Sequence, residues 1–126
     1  MADFLWIGLG GFLGANARYA LGLWVVDRSG AGFPLHTLVI NVTGSLAIGV
    51  LLVLLTERLV VDPAWRLLLV VGFLGGYTTF SSYTFEALVL AEEGEWTAAA
   101  GYVLGSNGLG LAAAYLGAVL ARAIGR

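Results

Sequence analysis

The stretch Gly72-Phe73-Leu74-Gly75-Gly76-Tyr77-Thr78-Thr79-Phe80-Ser81-Ser82-Tyr83-Thr84-Phe85 lies near the middle of an apolar segment running from about Trp65 to Ala91. A glycine pair followed by β-branched and hydroxyl residues continues a helix poorly. Inside a bilayer, backbone leaves helical geometry only where it is buried in protein or lines a wet cavity. A break at the centre of a membrane span, flanked by hydroxyls and aromatic rings, therefore points to an ion or substrate site.

That reading requires a membrane protein, and composition supplies one. Of 126 residues, 60% are hydrophobic and 11% charged, against about 25% charged in a typical soluble domain. Mean hydropathy is +0.92. A soluble domain of this size could not hide so much apolar surface. With no cysteine, the chain has no disulfides, thiolate catalysis or cysteine metal sites. The net charge of −2 comes without any basic cluster, so nothing suggests nucleic acid as a partner. Met1-Ala2-Asp3 lacks the positive start of a signal peptide, so the first apolar segment is expected to remain as a span.

Crossing ~30 Å of hydrocarbon takes ~20 apolar residues. Segments at about Phe4–Val26, Leu35–Thr56, Trp65–Ala91 and Trp96–Ala121 meet that need, giving an all-α domain of four spans over residues 1–126. The connectors contain Asp27-Arg28-Ser29-Gly30 with Pro34, Glu57-Arg58 with Asp62-Pro63, and Glu92-Glu93-Gly94-Glu95. Trp6, Trp24, Trp65 and Trp96 fall near span ends, where indole prefers the interface. Arg58, Arg66, Arg122 and Arg126 share the side of the termini, opposite Arg28 alone, so the positive-inside rule favours cytoplasmic termini.

Small residues recur in every span. Gly10-x-x-x-Gly14 and Gly101-x-x-x-Gly105 allow close helix approach, within the protomer or between copies. Combined with the short chain, they suggest a homo-oligomer. Gly8-Leu9-Gly10-Gly11 is no dinucleotide fingerprint, since no strand precedes it and it lies inside an apolar span.

Polar residues at membrane depth form stripes. Thr37, Asn41 and Ser45 recur every fourth residue, as do Tyr102, Ser106 and Gly110, with Asn107 alongside. Asn41 has two donors and an acceptor to satisfy; it could glue two helices or line a pathway. Ser106 could instead bond back to its own helix carbonyl. Arg18 is costly in mid-span, ~3 kcal/mol on insertion scales, and should face protein or a wet vestibule. Glu86 is its expected counter-charge, and His36 reads as an interfacial bystander.

One histidine, no cysteine and no paired carboxylates within the spans leave little for catalysis; Ser81 and Ser82 lack a base. What remains suits an anion. Asn41, the hydroxyls of Thr37, Thr79, Ser81 and Ser106, and Tyr102 offer donors along a candidate pathway. Phe80 and Tyr83 can share a helical face, and an aromatic edge is positive. Closely set donors of this kind replace the shell of a small dehydrated anion. An unwound Gly75–Thr78 backbone would meanwhile present carbonyls suited to a cation such as Na+, structural or transported.

The chain resembles the Fluc (CrcB) family of fluoride channels along nearly its whole length. The motifs are Gly11-Phe12-Leu13-Gly14-Ala15-Asn16-Ala17-Arg18-Tyr19, Thr37-Leu38-Val39-Ile40-Asn41-Val42-Thr43-Gly44-Ser45, and Gly72 through Glu86. The resemblance implies a four-helix protomer in an antiparallel, dual-topology homodimer of the plasma (inner) membrane. Two pores along the interface would pass fluoride, protecting the cytoplasm by passive efflux. Asn41 would donate to fluoride and Phe80 would supply a ring edge; Tyr83 falls where the family usually has a second phenylalanine. Gly75 and Thr78 carbonyls would hold a central Na+, Thr37 and Ser106 would fit the polar track, and Arg18 with Glu86 the vestibule. Dual insertion expects balanced charge, so the arginine bias opposes it.

A small multidrug-type transporter also has four short spans. Proton-coupled export would place an acid in the first span, which holds Arg18 and only terminal Asp3. A non-conducting assembly subunit would explain the glycines but not why Asn41, Thr78 and Phe80 share a depth.

Overall fold

The computed structural model describes residues 1–124, and their regular structure is entirely helical. Helix α1, Ala2–Ser29, has 28 residues and spans about 42 Å. It ends where Gly30 adopts φ +76° and returns its N–H to the Val26 carbonyl at 2.8 Å. Helix α2, Leu35–Val53, runs on into a wider π turn at Leu54–Arg58.

Helix α3 starts as Ala64–Arg66, takes π geometry over Leu67–Leu74 and finishes as Gly75–Tyr77. Its start is capped by Asp62, whose Oδ1 accepts the Ala64 N–H at 2.8 Å, while Pro63 has no N–H to satisfy. Helix α4, Phe80–Glu92, leads through Gly94 (φ +81°) into α5, Trp96–Ala123. Arg126 and its share of the charge bias lie outside the described residues.

Three helical runs are long and apolar enough to cross a membrane: Leu35–Arg58, Ala64–Glu92 and Trp96–Ala123. The first helix is equally long but the least apolar of the long helices, carrying Asn16 and Arg18. Large side chains such as Phe12, Phe85, Leu104 and Tyr115 point outward, each at least 65% exposed. Such a surface is stable only against lipid or another apolar face.

Two glycine-bearing seams join the helices. A Cβ on Gly10 would strike the Leu68 carbonyl, and one on Gly14 the Phe73 carbonyl. From the other side, Gly72 and Gly76 lie against the Ile7 and Gly11 carbonyls. Bare Cα atoms thus meet carbonyl oxygens between α1 and α3, an approach that larger residues forbid. Gly49 and Gly117 do the same between α2 and α5. The second glycine motif behaves differently: Gly101, Gly105 and Gly108 would meet nothing within 4 Å. The core proper is small, with Tyr83, Leu90, Ala99 and Tyr102 packed where α4 meets α5.

Candidate functional site: two cavities that meet at a broken helix

Between α3 and α4, two residues leave helical geometry. Thr78 takes ψ 156°, and Thr79 takes φ −147° and ψ 113°. Of the stretch Gly75–Thr78 expected to unwind, Gly75–Tyr77 stay in the last turn of α3 and Thr78 leaves it. The break falls at Thr78 and Thr79, because their backbone finds partners outside the helix. Asn41 of α2 clamps Thr79: Oδ1 accepts its N–H at 2.8 Å, and Nδ2 donates to its carbonyl at 3.0 Å. In a continuous helix the Thr79 N–H would bond the Gly75 carbonyl, so Gly75 loses its usual partner.

Thr79 then starts α4, its Oγ1 accepting the Ser82 N–H at 3.3 Å, the ordinary role of an N-cap threonine. Gly44 lets α2 come this close, because a Cβ there would collide with the Thr78 methyl.

Two cavities flank the break and share Thr79 as a wall. The first, about 390 Å³, is lined by Asn41, Gly75, Thr78, Phe80, Tyr83 and Ser106 among others. It contains no charged side chain. One Asn41 N–H is committed to Thr79, leaving the second for a guest. Ser106 Oγ is buried without a hydrogen-bond partner. The back-bonding considered for Ser106 occurs at Ser45, which donates to the Asn41 carbonyl at 2.7 Å.

Phe80 and Tyr83 place their ring centroids 5.7 Å apart, yet they diverge in exposure. Phe80 is 76% exposed and Tyr83 only 9%. The Tyr83 hydroxyl accepts from Asn107 Nδ2 at 2.9 Å.

The second cavity, about 370 Å³, is charged, with Arg18, His36, Thr37, Thr79, Ser82 and Glu86 in its wall. The expected Arg18–Glu86 pair does not form. Arg18 reaches the Thr78 carbonyl at 3.4 Å instead. The Glu86 carboxylate collects the Thr37 hydroxyl at 2.8 Å, the Tyr102 hydroxyl at 2.7 Å and His36 Nε2 at 3.3 Å. His36 is therefore no interfacial bystander. Its position one residue before Thr37, on the turn that faces Glu86, was the available signal.

The stripe Thr37–Asn41–Ser45 is divided by these partners, Thr37 serving the charged cavity and the other two the neutral one. Ser81 is exposed and lines neither. Among the described residues, no group of three His, Cys, Asp or Glu side chains could hold a metal.

Residues 5–118 match the family model described as CrcB-like protein, Camphor Resistance (CrcB). The chain belongs to the CrcB-like family. Curated relatives named fluoride-specific ion channel FluC cover nearly all of it. The one from Koribacter versatilis is 49% identical, with 97% of each chain aligned. Those from Roseiflexus sp. and Solibacter usitatus are 52% and 54% identical. They align over 94% of this chain, and over 95% and 98% of their own. With its long apolar helices, this CrcB-like chain is a multi-pass protein of the plasma membrane.

Proposed function

We infer that the protein is a fluoride-selective channel that lets fluoride leave the cytoplasm passively. The observation that carries this reading is the neutral cavity at the break. Asn41 keeps an N–H free there, Ser106 lacks a partner, and no carboxylate competes with an anion. A small anion gives up its shell only to closely set donors. The names of the relatives supply the species of anion.

In this reading α1 joins the three apolar runs as a fourth span, its polar residues facing protein. The protomer pairs with an inverted copy, and the pores run along the interface. Phe80 supports pairing, because its ring lies largely outside the protomer and would line a pore only beside a second surface. The open Gly101, Gly105 and Gly108 offer a further close-approach face.

A structural Na+ on the dimer axis fits the donors present. The Gly75 carbonyl lacks the Thr79 N–H that a continuous helix would give it, a Cβ on Gly75 would meet nothing within 4 Å, and Thr78 adds a second carbonyl, to which Arg18 donates at 3.4 Å. Two carbonyls are half a shell, so the ion would bind only between two copies, fastening them together.

Purified protein in liposomes should discharge a fluoride gradient while leaving chloride nearly untouched. Equal flux of both anions would sink the reading, and proton-coupled uptake of a cationic dye would favour the multidrug-type alternative. For insertion, the chain has no cysteine, so a single cysteine near Glu95 gives a clean label. Labelling from both membrane sides is expected; labelling from one side alone refutes inverted pairing.

A further inference from the structure

Asn107 stands near the middle of α5, inside a run long and apolar enough to cross a membrane, where a lone amide is costly. Its Nδ2 spends both hydrogens. One goes to the Val103 carbonyl at 2.8 Å and the other to the Tyr83 hydroxyl oxygen at 2.9 Å. The first bond fixes the sense of the second. A carbonyl only accepts, so the atom facing Val103 is the amide nitrogen, and that nitrogen only donates. Tyr83 is therefore the acceptor in this pair, and its own hydroxyl hydrogen points elsewhere.

The Tyr83 ring is held in place. It is buried in the protomer, with the rings of Phe80 and Tyr102 at centroid distances of 5.7 and 5.3 Å. Among the described residues, the bond from Asn107 is the one hydrogen bond its hydroxyl makes, so its donor is unspent. Tyr83, Asn107, Ser106 and Asn41 all line the neutral cavity. Ser106 Oγ has no partner there, and Asn41 keeps one N–H open. Three helices thus each bring one unspent donor to a cavity without a charged side chain. A water molecule accepts two hydrogen bonds, whereas a bare anion accepts from every side and replaces its shell with donors set closely around it.

We propose that the Tyr83 hydroxyl donates to the anion in this cavity and that Asn107 is the positioning residue that aims it. This rests on the channel reading above, and adds a hydroxyl donor to the ring edge that the resemblance implies. Asn107 acts only through Tyr83, because both of its own hydrogens are engaged. Donation into the hydroxyl oxygen also polarises the O–H and strengthens it as a donor.

The test is fluoride efflux from liposomes over a range of fluoride concentrations, which separates maximal flux from the half-saturating concentration. Tyr83→Phe deletes one oxygen and keeps the ring. Its half-saturating concentration should rise about tenfold, the loss of one hydrogen bond to a charged guest. Asn107→Leu removes the aiming donor at similar size and should raise it roughly threefold, because the hydroxyl is then free to turn away. The double variant should match Tyr83→Phe alone, since Asn107 has nothing left to aim.

An unchanged half-saturating concentration in Tyr83→Phe overturns the proposal, and this variant stays decisive should Asn107→Leu fail to fold. A double variant whose shift is the product of the two single shifts also overturns it, by giving Asn107 an effect independent of the hydroxyl. Changes confined to unfolding temperature or maximal flux make the pair a packing contact and overturn it as well. Each of these outcomes leaves wild-type fluoride flux, and so the channel reading, intact. Wild-type protein that passes no fluoride removes both.

Discussion

The two cavities beside Thr79 are nearly equal in size yet opposite in chemistry. The Arg18 side is built from charges, with Glu86 accepting from the Thr37 and Tyr102 hydroxyls and His36 Nε2 3.3 Å away. The Ser106 side has none, and its polar atoms are left partly unmatched. The difference suggests a division of labour: charge raises the local concentration of an anion, and neutral donors replace its water. The Asn41–Thr79 clamp is the wall between them, so it should matter most.

Replacing Asn41 with Asp tests that wall. The carboxylate keeps the acceptor for the Thr79 N–H but loses both donors, and it adds a negative charge beside the anion path. An uncompensated charge in a desolvated site costs several kcal/mol, so efflux should fall at least about 100-fold. Proteoliposome efflux measures it. Wild-type flux in Asn41→Asp would make the clamp a packing feature and erase the distinction between the cavities.

Arg18→Gln removes the concentrating charge while keeping a donor for the Thr78 carbonyl. A partly exposed charge acts through a screened field, so flux should drop roughly fivefold at low salt and less at high salt. Measuring flux at two ionic strengths separates the roles. A loss that ignores salt would mean Arg18 acts through its contact with Thr78 instead.

Much of this was legible before any coordinates, and the exceptions have physical causes. Apolar length and glycine content announced the long helices and the Gly10–Gly14 seam, because both follow from local composition. The position of the break was harder. Propensity pointed to Gly75–Thr78, yet Gly75–Tyr77 stay helical, and Asn41 draws out Thr79 from another helix. A partner so distant in sequence leaves no local trace.

The same holds for Glu86. Arg18 was its natural partner by charge alone, but Thr37, Tyr102 and His36 converge on it from two other helices. The glycine motifs teach the complement. Identical four-residue spacing gives a closed seam at Gly10–Gly14 and an open face at Gly101–Gly105; spacing records the capacity for close approach, not the partner.

The finest test of the comparison is Ser106→Ala. The hydroxyl is buried with no partner, which is unfavourable by about 1–3 kcal/mol for a group left unsatisfied. Deleting it should leave the protein as stable or make it slightly more so, seen as an unchanged or higher unfolding temperature in detergent. If that oxygen is kept unmatched to meet an anion, efflux should nonetheless fall by about two- to threefold, the loss of one weak contact. Stability and flux would then move in opposite directions, which a packing role does not produce. Reduced stability with unchanged flux would assign Ser106 to the helix interface and leave Asn41 and Tyr83 as the neutral cavity's working donors.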